Sequence, residues 1–208
     1  METYKITDIR QAVKNENRVN IFINNQYEFS LDIAQVVELG VKIGLVVTPE
    51  QLEEYKKASE YGKVYQRTLE WVLVRPRSVR EVRDYLRRKN HEEYFDPILA
   101  RLEKRGYVDD RKFAEYYVEN RFVKKGVSGK RLRQELMQKG VAKEVIDEVL
   151  DSSERDEAEE IKKMLARKRS KYDDQKLTAY LCRQGFAYDL VRELVTESSC
   201  GSGGSTST

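Results

Sequence analysis

The feature that most constrains this chain is a thirteen-residue pattern that occurs three times without gaps, at Ser78–Asn90, Ser128–Gly140 and Asp173–Gly185. Each copy opens on a side chain that can accept a hydrogen bond from the first turn of a helix. Apolar residues follow four and eight positions later: Val82 and Leu86, Leu132 and Leu136, Leu177 and Leu181. Each copy closes on Asn or Gly, the residues that tolerate the left-handed backbone of a helix C-terminus. The unit is therefore a short, capped helix with one apolar stripe. Such a helix buries little surface alone, so the pattern requires neighbours, and a repeat of this period points to stacked helical modules.

Those neighbours can be read on both sides. A following helix carries Val145, Ile146, Val149 and Leu150 in the second copy and Leu190, Val191, Leu194 and Val195 in the third. In the first copy Ile98, Leu99 and Leu102 take that role three residues late, with Pro97 fixing a start at Asp96 or a bend. Preceding helices are expected over Val64–Val74, Arg111–Lys124 and Ala158–Lys168. Upstream, Arg18–Ile23 and Tyr27–Phe29 around Asn24-Asn25 read as a β-hairpin, with Tyr4–Ile9 as a third strand. Ser30 is expected to cap a short helix over Leu31–Leu39. Thr48-Pro49-Glu50-Gln51 is a capping-box start for a long helix reaching about Val74, with Gly62 as a break point. The fold class is thus mainly α: three tandem three-helix, helix-turn-helix-like repeats in an elongated curved array, with a small N-terminal β-hairpin/α extension. The expected divisions are an extension at 1–58, repeats at 59–108, 109–152 and 153–197, and a disordered Ser/Gly/Thr tail at 198–208.

Charge narrows the function. The chain is 36% charged with a formal net charge of +3. That balance is uneven: residues 1–61 carry −3, residues 62–150 carry +7 and residues 151–208 carry −1. A basic centre suggests an acidic or polyanionic partner. No apolar run approaches the roughly 20 residues of a membrane span. Cys182 and Cys200 have no metal or redox spacing, so a cytoplasmic protein is expected.

Nothing in the chain makes a catalytic constellation. His91 is the single histidine and reads as a residue at a helix start. Asp109-Asp110 invites a metal, but a helix cap after a Gly106 closure explains it more simply. No P-loop spacing is present. No enzyme activity, metal or cofactor is expected. What stands out is cationic. Arg75, Arg77, Arg80, Arg83, Arg87, Arg88 and Lys89 form one cluster, Arg121, Lys124, Lys125, Lys130, Arg131 and Arg133 a second, and Lys162, Lys163, Arg167, Lys168, Arg169 and Lys171 a third. All three recur near the junction of the first and second helix of a module. Several cationic patches on one scaffold suit an extended anionic surface, nucleic acid or protein, although a solvated helix face would look the same. Phe113, Tyr116 and Tyr117 beside the second cluster read as core packing before base stacking.

Taken together, these residues resemble the RecX family of bacterial RecA regulators. The resemblance rests on Arg75-Pro76-Arg77-Ser78 with Leu86, Gly106-Tyr107-Val108-Asp109-Asp110 with Phe113, Leu136 with Gly140, and Gly185-Phe186. It spans about residues 60–196. It implies a monomeric regulator that binds the RecA filament on single-stranded DNA, with possible direct DNA contact. The expected effect is inhibition of recombinase, ATPase and coprotease activity, in control of DNA repair and the SOS response. Two other readings of the residues stay open: a helix-turn-helix transcription regulator, and a helical-repeat protein adaptor.

Overall fold

The computed structural model describes residues 3–13, 15–124, 126–153 and 156–200, without the side chains of residues 122–124 and 200. It divides into two compact units, Met1–Val74 with Leu86–Ile98, and Arg75–Tyr85 with Leu99–Thr208.

The first unit opens with a four-stranded antiparallel sheet in the order β3-β2-β1-β4, made of β1 (Tyr4–Ala12), β2 (Asn15–Ile23), β3 (Gln26–Asp32) and β4 (Val46–Val47). Asn24 and Asn25, both at positive φ, make the β2–β3 turn, the conformation a two-residue hairpin needs. The short helix α1 spans Ile33–Glu38 and is capped by Asp32, not Ser30. Ser30 and Leu31 instead lie buried in β3, where the apolar alternation of Tyr27 and Phe29 continues to Leu31.

Helix α2 runs unbroken over Pro49–Leu73, from the expected capping box at Thr48 and Gln51. Gly62 does not interrupt it. A methyl group there would lie 2.7 Å from the Gln35 amide oxygen, so glycine is kept for close approach rather than for a break. Around it, Gln35 donates to the Ala58 carbonyl at 2.6 Å, and the buried Arg18 bonds Ser30. The apolar core of this unit is formed by Ile6, Ile21, Phe29, Leu31, Leu52 and Tyr55. The first unit also contains a 3-10 turn, Glu92–Tyr94, for which His91 stands at the N-cap without a side-chain capping bond.

The second unit is helical. α3 (Val79–Arg88) begins in it and α4 (Phe95–Lys104) ends in it. Pro97 falls in the first turn of α4, where no N–H is required, so the helix starts at Phe95 rather than at Asp96. Two triplets follow: α5 (Asp110–Lys124), α6 (Gly129–Gln138) and α7 (Lys143–Ser152), then α8 (Glu157–Lys168), α9 (Asp174–Arg183) and α10 (Tyr188–Cys200). Each triplet closes on its own core, the first around Phe113, Leu132, Leu136 and Ile146, the second around Ile161, Leu177, Leu181 and Val191. A tail is expected from Ser198, but Ser198–Cys200 complete the last turn of α10; residues 201–208 lie outside the described residues.

One joint occurs twice in this unit and fixes how consecutive modules meet. The buried Ser78 and Ser128 hydroxyls accept from the third backbone N–H of α3 and α6, Glu81 and Arg131, at 3.1 and 3.2 Å. The same hydroxyls donate across the module boundary, Ser78 to the Lys139 carbonyl at 2.8 Å and Ser128 to the Gln184 carbonyl at 2.7 Å. The first backbone N–H in each helix, of Val79 or Gly129, donates to a carboxylate at the start of the following module, Asp110 at 2.9 Å or Glu157 at 2.7 Å. Gly140 and Gly185, both at positive φ, complete the contact. A Cβ at Gly140 would lie 2.8 Å from that of Arg80, and one at Gly185 2.7 Å from the Ser128 hydroxyl.

Candidate polyanion-binding site

The three basic clusters have different fates. In the first, the Arg75-Pro76-Arg77-Ser78 turn is committed to the joint. Arg75 pairs with Glu81 at 3.1 Å and donates to the Pro76 carbonyl at 2.8 Å, while Lys139 reaches the other Glu81 oxygen at 2.9 Å. Burial alone would raise the Glu81 carboxyl, but the Arg75 and Lys139 bonds outweigh it and hold it below its ordinary value. Arg77 is half-buried, and burial, with Arg75 close by, pushes its guanidinium below the ordinary value. Arg80, Arg83, Arg87 and Arg88 remain exposed on α3.

The second and third clusters converge. α5, α6, α8 and α9 enclose a recess of about 380 Å³ lined by Arg121, Arg131, Arg167 and Lys168, with no acidic side chain among the described residues that line it. Val127, Met164, Tyr180 and Gln184 complete its walls. Gly126 lets the chain approach α8: a Cβ there would lie 2.7 Å from the Glu160 carbonyl.

Two of the four cations are held by one carboxylate behind the recess. Arg121 donates from Nε and Nη2 to both oxygens of Glu135, at 2.9 and 2.8 Å, a bidentate fork. Arg131 adds a bond from Nε at 3.3 Å and donates through Nη1 to Gln184, and the Tyr117 hydroxyl donates to Glu135 at 2.9 Å. These donors, Arg121 foremost, depress the Glu135 carboxyl to about 2. Arg121 is correspondingly raised by the same bond. Each arginine spends two of its five N–H donors in this way. Lys168 approaches the rings of Tyr180 and Tyr172 at 5.5 and 5.9 Å, and the two rings are stacked, 6.5 Å apart and 9° from parallel.

Several other expected site residues point elsewhere. Lys130 is exposed at the rim of a neighbouring groove, Arg133 pairs with Asp147 at 2.9 Å, and Arg169 with Asp174 at 3.2 Å. Lys162 and Lys163 turn to Glu159 and Glu160. Lys125 and the Lys124 side chain lie outside the described residues. Leu86, Phe113, Leu136 and Phe186 are core, as is Ser78. Tyr107 is exposed, Gly106 closes α4 at positive φ, and Asp109 caps α5 by accepting from Arg111 and Lys112.

The aromatic pair was not singled out by sequence. Tyr116 and Tyr117 are adjacent to a basic run, whereas Tyr172 stands just before the third copy of the pattern and Tyr180 inside it. The alignment held one clue: the seventh position after the cap is Tyr85, Glu135 and Tyr180 in turn, so the residue that anchors the arginines in one module becomes an aromatic wall in the next.

Comparison with known proteins bears on this arrangement. Residues 109–150 match the second three-helix domain of RecX, and residues 4–48 match the regulatory protein RecX N-terminal domain. The regulatory protein RecX of Listeria monocytogenes is 32% identical over 206 residues, covering 94% of this chain and 76% of that protein. The chain belongs to the RecX family. RecX proteins of Bacillus licheniformis and Halalkalibacterium halodurans are 31% and 30% identical, each covered to 76% of its length. A crystal structure of regulatory protein RecX superposes with a TM-score of 0.76 at 26% identity, covering 93% of this chain and 99% of that one. RecX from Lactobacillus salivarius, at 23% identity and a TM-score of 0.55, shares the fold over 67% of this chain. The relatives are named as regulatory proteins. Among the described residues no helix is long and apolar enough to cross a membrane, and no group of His, Cys, Asp and Glu could hold a metal ion.

Proposed function

We propose that this RecX-family chain regulates RecA, binding the RecA filament on single-stranded DNA and inhibiting its ATPase, recombinase and coprotease activities, and so acting in DNA repair and the SOS response. The observation that carries the reading is the convergence of Arg121, Arg131, Arg167 and Lys168 on one recess between consecutive modules. A filament presents its anionic groups at a repeating interval. The repeated serine–carbonyl joint sets the second and third modules side by side, and that is what gathers these cations at one place on the scaffold. The exposed arginines of α3, Arg80, Arg83, Arg87 and Arg88, supply a second contact, and weak contacts on one chain gain through effective concentration. A bound array that spans neighbouring protomers resists the movements that ATP turnover requires, so the regulator acts by binding, with no catalytic step and as a monomer in the cytoplasm.

The test is RecA ATPase on single-stranded DNA, titrated with the protein at several salt concentrations. Turnover should fall at near-stoichiometric protein and recover as salt rises, because counterion release favours binding at low ionic strength. ATPase unchanged at stoichiometric protein excludes the reading. The adaptor and transcription-regulator alternatives have no comparable observation in their favour.

A further inference from the structure

We infer that the recess between α5–α6 and α8–α9 is a nucleotide-unit site, taking a phosphate among Arg121, Arg131, Arg167 and Lys168 and a base against the Tyr172–Tyr180 pair. The inference deepens the reading above and rests on it only for its biological setting.

Three observations favour a phosphorylated nucleoside over an acidic protein surface. First, the donors are mixed. Two are guanidinium groups whose positions are set by a bidentate carboxylate and by Gln184, and each retains N–H donors beyond those it spends. Such forks match the tetrahedral oxygens of a phosphate, and Lys168 adds a point charge beside them. Secondly, the recess is bounded. A volume of about 380 Å³ with cations on several sides suits one phosphate-bearing unit rather than a broad acidic face. Thirdly, an aromatic stack leads out of it. Tyr180 lines the recess, and Tyr172, 41% exposed, stacks on Tyr180 with its ring accessible from solvent. A protein carboxylate has no use for that ring, whereas a base has a π-face of its own to lay on it. The unit could come from a free nucleotide or from an unpaired strand, and both present the same phosphate and base.

The experiment uses the full chain without RecA and follows anisotropy of a labelled oligothymidylate. A strand of equal length and charge built from abasic sites removes the bases and keeps the phosphates. Wild-type protein is expected to bind oligothymidylate at least fivefold more tightly than the abasic strand. Tyr172→Ala, a change at an exposed ring, should abolish that preference while leaving abasic binding unaltered. Arg167→Glu with Lys168→Glu should weaken both strands tenfold or more. Competition by ATP or thymidine monophosphate at millimolar concentration, matching that of the oligonucleotide per unit, would support the site with free nucleotide as its source. Retention of the oligonucleotide under that competition would support it with an unpaired strand as source. Equal affinity of wild-type protein for the intact and abasic strands overturns the inference, as does polyglutamate displacing the strand as efficiently as unlabelled oligonucleotide. RecA ATPase measured in parallel separates the two readings. Inhibition of RecA by a wild-type protein that shows no base-dependent binding removes the site alone, and base-dependent binding by a wild-type protein that leaves RecA unaffected removes the proposed function alone.

Discussion

At the scale of residues, Ser128 and Glu135 hold the second unit together by different means. Ser128 is buried and uses its hydroxyl twice, as acceptor for the cap of α6 and as donor to the Gln184 carbonyl. Ser128→Ala removes both bonds and leaves a carbonyl short of a donor, a loss of about 2 kcal/mol. Ser128→Asp separates the two roles, since a carboxylate caps well but cannot donate; it is expected to destabilise at least as much as alanine in urea titrations, whereas a pure capping role would make it neutral. Glu135 makes stability depend on pH. Its folded pKa of about 2 lies below the ordinary 4.5, so its contribution is fully present above pH 4.5 and is lost as pH falls from there toward 2. Glu135→Gln should therefore cost roughly 2 kcal/mol at pH 7, less than the full pKa difference because Arg121 and Arg131 are part-exposed and screened. Unfolding curves of the two proteins should draw together between pH 4.5 and 3. A gap that stays constant over that range would remove the ion-pair account.

At the scale of elements, the helix ends carry the information. Gly185 stands at positive φ with its α-carbon close to Ser128, so Gly185→Ala meets both a strained backbone and a contact of 2.7 Å. A loss of about 1–3 kcal/mol is expected from thermal unfolding. The same substitution at Gly106, where the nearest atom is the end of the Lys112 side chain at 3.8 Å, should cost only the backbone strain. Much of this was legible in the sequence. The caps at Thr48, Ser128 and Asp173, the leucines of α6 and α9 and the closing glycines all follow from helix chemistry within a few residues of each other. What failed to show was whatever depended on distant partners. Gly62 reads as a break until the Gln35 side chain, brought in from α1, supplies another reason for glycine. Ser30 reads as a cap until β3 continues through it. Ser78 and Ser128 read as simple caps, because the carbonyls they bond lie 61 and 56 positions away.

At the scale of the whole molecule, the repeat accounts for the site. Sequence alone places three basic clusters at equivalent positions and marks the Arg75-Pro76-Arg77-Ser78 turn, stiffened by Pro76, as the strongest of them. Folding distinguishes them: the Arg75–Arg77 turn is spent on the joint with the next module, Arg133 and Arg169 are spent on local ion pairs, and Arg121, Arg131, Arg167 and Lys168 are brought to one recess. That selection depends on how the second and third modules meet, which no periodicity encodes. It also yields the sharpest test. RecA-driven strand exchange on single-stranded DNA should be titrated with wild-type protein and with Arg167→Glu/Lys168→Glu, two substitutions at side chains outside the apolar cores. The account predicts inhibition by wild-type protein at near-stoichiometric amounts and at least a tenfold higher requirement for the variant, with cooperative thermal unfolding retained. Equal inhibition by the two proteins would contradict it.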